Sequence, residues 1–119
     1  MTVSILGAEY LVRKEKYGEV PVFSEKAVVG ICDTMLKEIV YCDLRTHPSY
    51  SGESADFIRI SERNTLRHEI VHAFFAESGL RECSLAFDNG WAMNEEMVDW
   101  IALQGEKIYA VWRMAGAIS

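Results

Sequence analysis

Two of the chain's three histidines and one glutamate fall within five residues, His68-Glu69-Ile70-Val71-His72, inside the run LRHEIVHAFFAESGL at 66–80. Residues four apart on a helix project from one face, about one turn or roughly 6 Å apart along the axis. His68 and His72 can therefore reach one metal ion together. Glu69, beside the first histidine, leans over the open side of such an ion, where a carboxylate can take a proton from a bound water. A zinc ion in that position lowers the pKa of its water to about 7. The same spacing also occurs as the solvated edge of an ordinary amphipathic helix, and two ligands do not make a catalytic zinc centre. A third is required.

The segment NEEMVDW at 94–100 offers one. Asn94 is a helix N-cap residue type, and Glu95 and Glu96 fall in the first turn, where the helix dipole favours acids with or without a metal. Glu95 and Asp99 are four apart and share a face. Glu95 is the candidate third ligand, and Asp99 is placed to accept a hydrogen bond from the far nitrogen of a ligating histidine, which fixes its tautomer and raises its basicity. Glu96 is the alternative if the register shifts by one residue, but it shares its face with Trp100 instead of a second acid.

These residues need two helices and something to hold them. Leu66, Ile70 and Phe74, flanked by Val71 and Phe75, make a broad apolar stripe at helical spacing, and Gly79-Leu80 has the form of a glycine C-terminal stop. The spacing predicts a helix from about Ser61 to Ser78, although the preceding ESADFIRI also reads as a strand from Asp56 to Ile60 or as an early helical turn. The connection from Arg81 to Met93 has a turn at Asp88-Asn89-Gly90. A second helix then runs from Asn94 to about Ala115, ended or merely weakened by Gly105. Upstream, TVSIL, EYLVRKE, VVGIC and EIVYC read as strands, the last two flanking DTMLK as a hairpin. DLRTHPSYSGES is a loop.

At 119 residues the chain is one domain, 1–119, with no linker or repeat. A net charge of −6 with interspersed signs excludes the basic footprint of a nucleic-acid binder and argues against an anionic membrane surface as partner. The N-terminal apolar stretch is broken at Gly7 to Glu9 with its charges after it, a poor export signal. Cys32, Cys42 and Cys83 follow no metal-binding spacing and are expected as free thiols in a reducing cytoplasm. Trp91, Trp100 and Trp112 are expected in core and rim packing, with Trp100 the one placed to line a cleft.

The combination His68-Glu69-x-x-His72 with Asn94-Glu95-x-x-x-Asp99 resembles the gluzincin metallopeptidases, and the short chain is similar to their smallest members, the minigluzincins. The wider runs LRHEIVHAFFAESGL and NEEMVDWIA also resemble small proteins of bacteriophages and prophages. The matching motifs cover residues 66–80 and 94–102. The resemblance implies an α+β, zincin-like minimal domain in which a small, twisted, mostly antiparallel sheet lies over an active-site helix, followed by a glutamate helix. It implies one zinc ion per chain held by His68, His72 and Glu95, Glu69 as general base and acid, and Asp99 orienting a ligand. The activity implied is peptide-bond hydrolysis, the partner a peptide or protein substrate; the alternative is a zinc-binding regulatory protein that is latent or does not cut. Larger gluzincins use a later His or Tyr to stabilise the oxyanion. No histidine follows His72, the spacing of Tyr109 assigns it no such role, and His47 reads as a loop histidine. A site without that group implies a weak or partner-dependent enzyme.

Overall fold

A computed structural model of the chain describes residues 1–81, 94–115 and 118. Strands β1 (Thr2–Ile5) and β2 (Ala8–Lys16) form a hairpin in the register Thr2↔Leu11 to Ile5↔Ala8. Its two-residue loop has positive φ at both positions, 51° at Leu6 and 89° at Gly7. That is the requirement of a turn whose twist matches a right-twisted hairpin. The chain then crosses through a short helix, α1 (Pro21–Glu25), with Pro21 at its start and Phe23 buried, into β3 (Gly30–Asp33) and β4 (Glu38–Asp43). The β3–β4 turn is locked by Asp33, whose Oδ1 accepts the backbone N–H groups of Met35 and Leu36 at 3.0 and 2.9 Å.

The four strands lie in the order β1-β2-β4-β3. All four expected strands are present, and two of the three pairings are antiparallel, but the central one, β2 with β4, is parallel over Leu11↔Glu38 to Lys16↔Asp43. The sheet is therefore mixed. Each hairpin is closed by its own turn, while the pairing between them depends on a crossover that local patterning does not encode. The fold is α+β.

After β4 the Ser/Gly/Pro-rich stretch folds into two single 3-10 turns, capped by the side chains of Asp43 and His47. Helix α2 (Ala55–Glu77) follows, six residues longer at its start than expected from Ser61. The cause is Ser54, whose hydroxyl accepts the N–H of Phe57 at 3.1 Å, with Asp56 in the first turn; these make DFIRI helical despite its β-branched residues. At the other end Ser78 is the C-cap and Gly79 adopts φ 80°, as the glycine stop implies.

Two core clusters lie on the sheet. Ile5, Tyr10, Val12, Ile39 and Ala73 form one, with Leu66 and Ile70 against it; Phe23, Val40, Cys42, Leu44 and Ile58 form the other. The face of α2 toward the sheet thus runs through Leu66, Ile70 and Ala73, and Phe74, expected in the stripe, is 41% exposed. The small side chain of Ala73 brings the helix close to the sheet and turns Phe74 outward. Tyr10 ties the end of α2 down: its hydroxyl donates to Glu77 Oε1 at 2.9 Å, and Lys37 pairs with the same oxygen.

Helix α3 (Glu95–Met114) starts from Asn94, whose Oδ1 accepts the Met97 N–H at 3.2 Å, and passes through Gly105 without a break. Val98 and Ala102 are buried, and Arg67 of α2 pairs with Glu106 at 2.7 Å. Trp100 and Trp112 are both more than half exposed, contrary to the expectation of core and rim packing, because α3 has more apolar positions than the face that α2 covers. Trp91, Cys83 and the Asp88-Asn89-Gly90 turn lie outside the described residues. Among those described, no helix is long and apolar enough to cross a membrane.

Candidate metal centre

Helix α2 carries His68 and His72 on one face, and α3 brings Glu95 against them at its first residue. His68 Nε2 lies 2.7 Å from Glu95 Oε2 and 3.1 Å from His72 Nε2, and His72 Nε2 lies 3.2 Å from the same carboxylate oxygen. One turn along α3, Asp99 Oδ1 sits 2.5 Å from His68 Nδ1. A carboxylate there requires Nδ1 to carry a proton, so in neutral His68 the Nε2 lone pair points at a second carboxylate oxygen. His72 Nε2 and Glu95 Oε2 converge on the same point, so with both Nε2 atoms unprotonated the three atoms make a donor set for a cation. His68, His72 and Glu95 form a group that could hold a metal ion, with ligand atoms all within 4.8 Å of one another. Glu95, and not Glu96, supplies the carboxylate.

The two carboxylates of α3 are open to water, with side chains 66% and 62% exposed for Glu95 and Asp99, whereas the imidazoles of His68 and His72 are largely covered. Glu69 is the opposite case, at 7% exposure the one buried charged residue among those described. Burial pushes its carboxyl up to about 7; nearby His68 opposes the shift, and Glu95 and Asp99 add to it.

Glu69 is held by a feature with no sequence signature. Gly30, at the start of β3, faces α2, and a Cβ there would lie 2.7 Å from Thr65 Cγ2 and 2.9 Å from Glu69 Oε1. Thr65 turns its methyl to that gap because its hydroxyl donates to the Ser61 carbonyl at 3.0 Å. The bare backbone of Gly30 and the Thr65 methyl thus make a slot for the Glu69 carboxyl.

The metal group opens into a cleft of about 1360 Å³ between β3 and the two long helices. One wall is the β3 segment from Val28 to Met35; the other carries Asn64, Thr65, His68, Glu69, His72, Phe75 and Arg81, with Glu95 and Asp99 from α3. Along this cleft β3 is a sheet edge, paired only with β4 among the described residues. Asn64 and Arg81, polar groups of the cleft, carry no motif that would have drawn attention to them.

The remaining expected candidates lie elsewhere. His47 sits between Tyr17 and Tyr50, with ring centroids 4.5 and 5.3 Å away, and its Nδ1 accepts the Ser49 N–H at 3.0 Å. It is a structural loop residue, as read. Tyr109 is 49% exposed on α3 beside Arg113, and neither it nor His47 or Trp100 lines the cleft. Cys32 and Cys42 are free thiols on opposite faces of the sheet, raised by burial to about 12 and about 11.

Comparison of the chain with protein-family models, with curated proteins and with solved structures gives no match.

Proposed function

We propose that the chain is a small zinc-dependent peptidase of the gluzincin type, with His68, His72 and Glu95 as the ligands and Glu69 as general base and acid. The observation that carries this reading is the convergence of the two Nε2 atoms and Glu95 Oε2 to within 2.7–3.2 Å, with Asp99 on the far nitrogen of His68. Ligands at about 2.0–2.1 Å from a tetrahedral zinc stand about 3.3 Å from each other, so the donor set fits with a slight outward spread. Two imidazoles, one carboxylate and an open side are the donor chemistry of a catalytic rather than a structural zinc.

When bound, zinc supplies Lewis acidity toward a substrate carbonyl and acidifies a water. The chain's own residues do the rest. Asp99 holds His68 in the tautomer that presents Nε2 to the cleft. Glu69, buried in its slot and bordering the same cleft, takes a proton from the attacking water at its carboxylate and returns it to the leaving amine. The open edge of β3 offers backbone N–H and C=O groups to an extended peptide, which favours a peptide substrate over a small molecule.

A second reading, metal binding without hydrolysis, is favoured by one observation: among the described residues no histidine or tyrosine other than the ligands and Tyr50 lines the cleft. Tyr50 packs against His47 and against Phe57, eleven residues before His68 along α2, so it stands away from the metal group. The deciding experiment measures zinc content by elemental analysis together with hydrolysis of a quenched-fluorescent peptide library, for the wild type, Glu95→Ala and Glu69→Gln. One zinc per chain, lost in Glu95→Ala, with hydrolysis lost in Glu69→Gln while zinc stays, supports the peptidase. Zinc without hydrolysis supports the second reading. No zinc at all sinks both.

A further inference from the structure

Helix α3 buries one side, through Val98 and Ala102, and leaves another to water. On that outer side Trp100, Leu103, Val111 and Met114 are all about half exposed or more, and Lys107 and Ala110 between them are exposed too. Taken in order, Trp100, Leu103, Lys107, Ala110 and Met114 alternate steps of three and four residues. Such alternation keeps a narrow seam on one side of a helix, the pattern by which one helix packs along another. Packing on α2 does not require it, because the seam lies away from Val98 and Ala102.

Charges flank the seam in a set order. Asp99, Glu106 and Arg113 stand seven residues apart, all on the same flank. In a parallel pair of such helices this flank faces the uncharged Gln104 and Val111 of the other copy, and no ion pair forms. In an antiparallel pair the flank faces itself. With the twofold axis at Glu106, each Asp99 then meets Arg113 of the other copy. The same register sets Trp100 against Ala110, large against small, and Leu103 against the stem of Lys107, whose ammonium reaches out to water. Glu106 meets its own image at the axis, but each is held by Arg67 of its own chain at 2.7 Å.

We propose that the outer face of α3 is a homodimer interface, in which a second copy of this chain packs antiparallel along the seam from Trp100 to Ala110 with an Asp99–Arg113 pair at each end. The acids beside the seam, Glu96, Asp99 and Glu106, would repel an anionic lipid surface, whereas a second copy answers them with its own bases. Asp99 engages His68 through Oδ1, and the pair with Arg113 uses its other oxygen. The dimer thereby brings a guanidinium of the second copy to the rim of the metal group, one turn from Glu95. The seam from Trp100 to Met114 is only about 21 Å long, so the dimer is a weak one. This inference stands whether or not the chain cuts peptides.

The test is sedimentation velocity on the full chain, from about 1 to about 300 µM, at low ionic strength because exposed ion pairs are screened by salt. Chelator is present throughout, so that the result bears on the seam and not on a metal. The expected result is a shift from the 13.5 kDa of one chain to twice that mass, with a Kd on the order of 10 µM. Leu103→Glu and Ala110→Glu, both at exposed positions and checked for fold by circular dichroism, each raise that Kd at least about tenfold. Arg113→Glu and Asp99→Arg each weaken the dimer about three- to tenfold when alone. Mixed in equal amounts the two restore it, because only the mixed pair has opposite charges at both ends. A monomer at every concentration overturns the proposal, including one whose seam takes up lipid vesicles instead. So does a dimer that both seam variants leave intact, or a mixture no tighter than its separate components.

Discussion

Asp99 of α3 and His68 of α2 meet at 2.5 Å, Oδ1 to Nδ1, across the interface between the two long helices. This contact positions the ring without touching the ion-binding point, so its loss weakens the site without dismantling it. Asp99→Ala is expected to lower zinc affinity about 10- to 100-fold, read by competition with a chromophoric chelator. The Asp99 side chain is largely exposed, so the unfolding midpoint of the metal-free protein should barely move. An unchanged affinity would remove Asp99 from the site.

Gly30→Ala tests the slot around Glu69. The added methyl meets Thr65 and Glu69 at distances that real atoms do not share, so the carboxyl has to move. The expected loss of stability is about 1–3 kcal/mol, as for other overpacked positions. Peptide hydrolysis should fall nearly as far as in Glu69→Gln, with zinc content unchanged. Full hydrolysis in a folded Gly30→Ala protein would show that the position of Glu69 is uncritical.

Chelation should loosen the protein and not unfold it. The three ligands lie outside both core clusters, so the metal-free chain keeps its circular-dichroism spectrum. A zinc ion on the proposed ligands would link α3 to α2, and its binding to the folded state alone should raise the unfolding temperature in proportion to the logarithm of its concentration. Differential scanning fluorimetry across a zinc series checks this; a chain that unfolds outright in chelator would point to a structural metal.

The Tyr10–Glu77–Lys37 cluster makes stability depend on acid. Lys37 first, and the Tyr10 hydroxyl second, hold the Glu77 carboxyl below its ordinary range. A depressed carboxyl contributes stability that is complete above its unfolded value, about 4.3, and is lost as the pH falls through the lower folded value. Melting temperatures measured from pH 6 down to pH 3 should therefore drop more steeply in the wild type than in Lys37→Met. Parallel curves would mean that the ion pair contributes nothing.

Much of the site could be read from residue spacing because helices translate spacing directly into faces. His68 and His72 four apart, and Asn94, Glu95 and Asp99 as cap, first turn and next turn, needed only that both segments be helical. The four strands were visible as β-branched runs between turn residues for the same local reason. What spacing could not give is pairing between distant elements. The parallel register of β2 on β4 joins two hairpins through a crossover, Gly30 matters only because Thr65 and Glu69 lie across from it, and Arg81 reaches the cleft only after Gly79 turns the chain. The early start of α2 was encoded by the Ser54 cap, a signal hidden behind the β-branched look of DFIRI. Phe74 and the tryptophans of α3 were misjudged because apolar periodicity does not say how wide a face its neighbour will cover.

The Asn94 cap has a kinetic consequence. His68 and His72, two of the proposed ligands, stand in the interior of a 23-residue helix, but Glu95 stands in the first turn of α3, where fraying costs least and where the Asn94–Met97 hydrogen bond holds the turn closed. Dissociation of a bound ion would begin there, with Glu95 letting go before either histidine. The residence time of such an ion would then be set by how often one helix end opens, and a capping side chain that never meets the ion would act as the latch on its exchange.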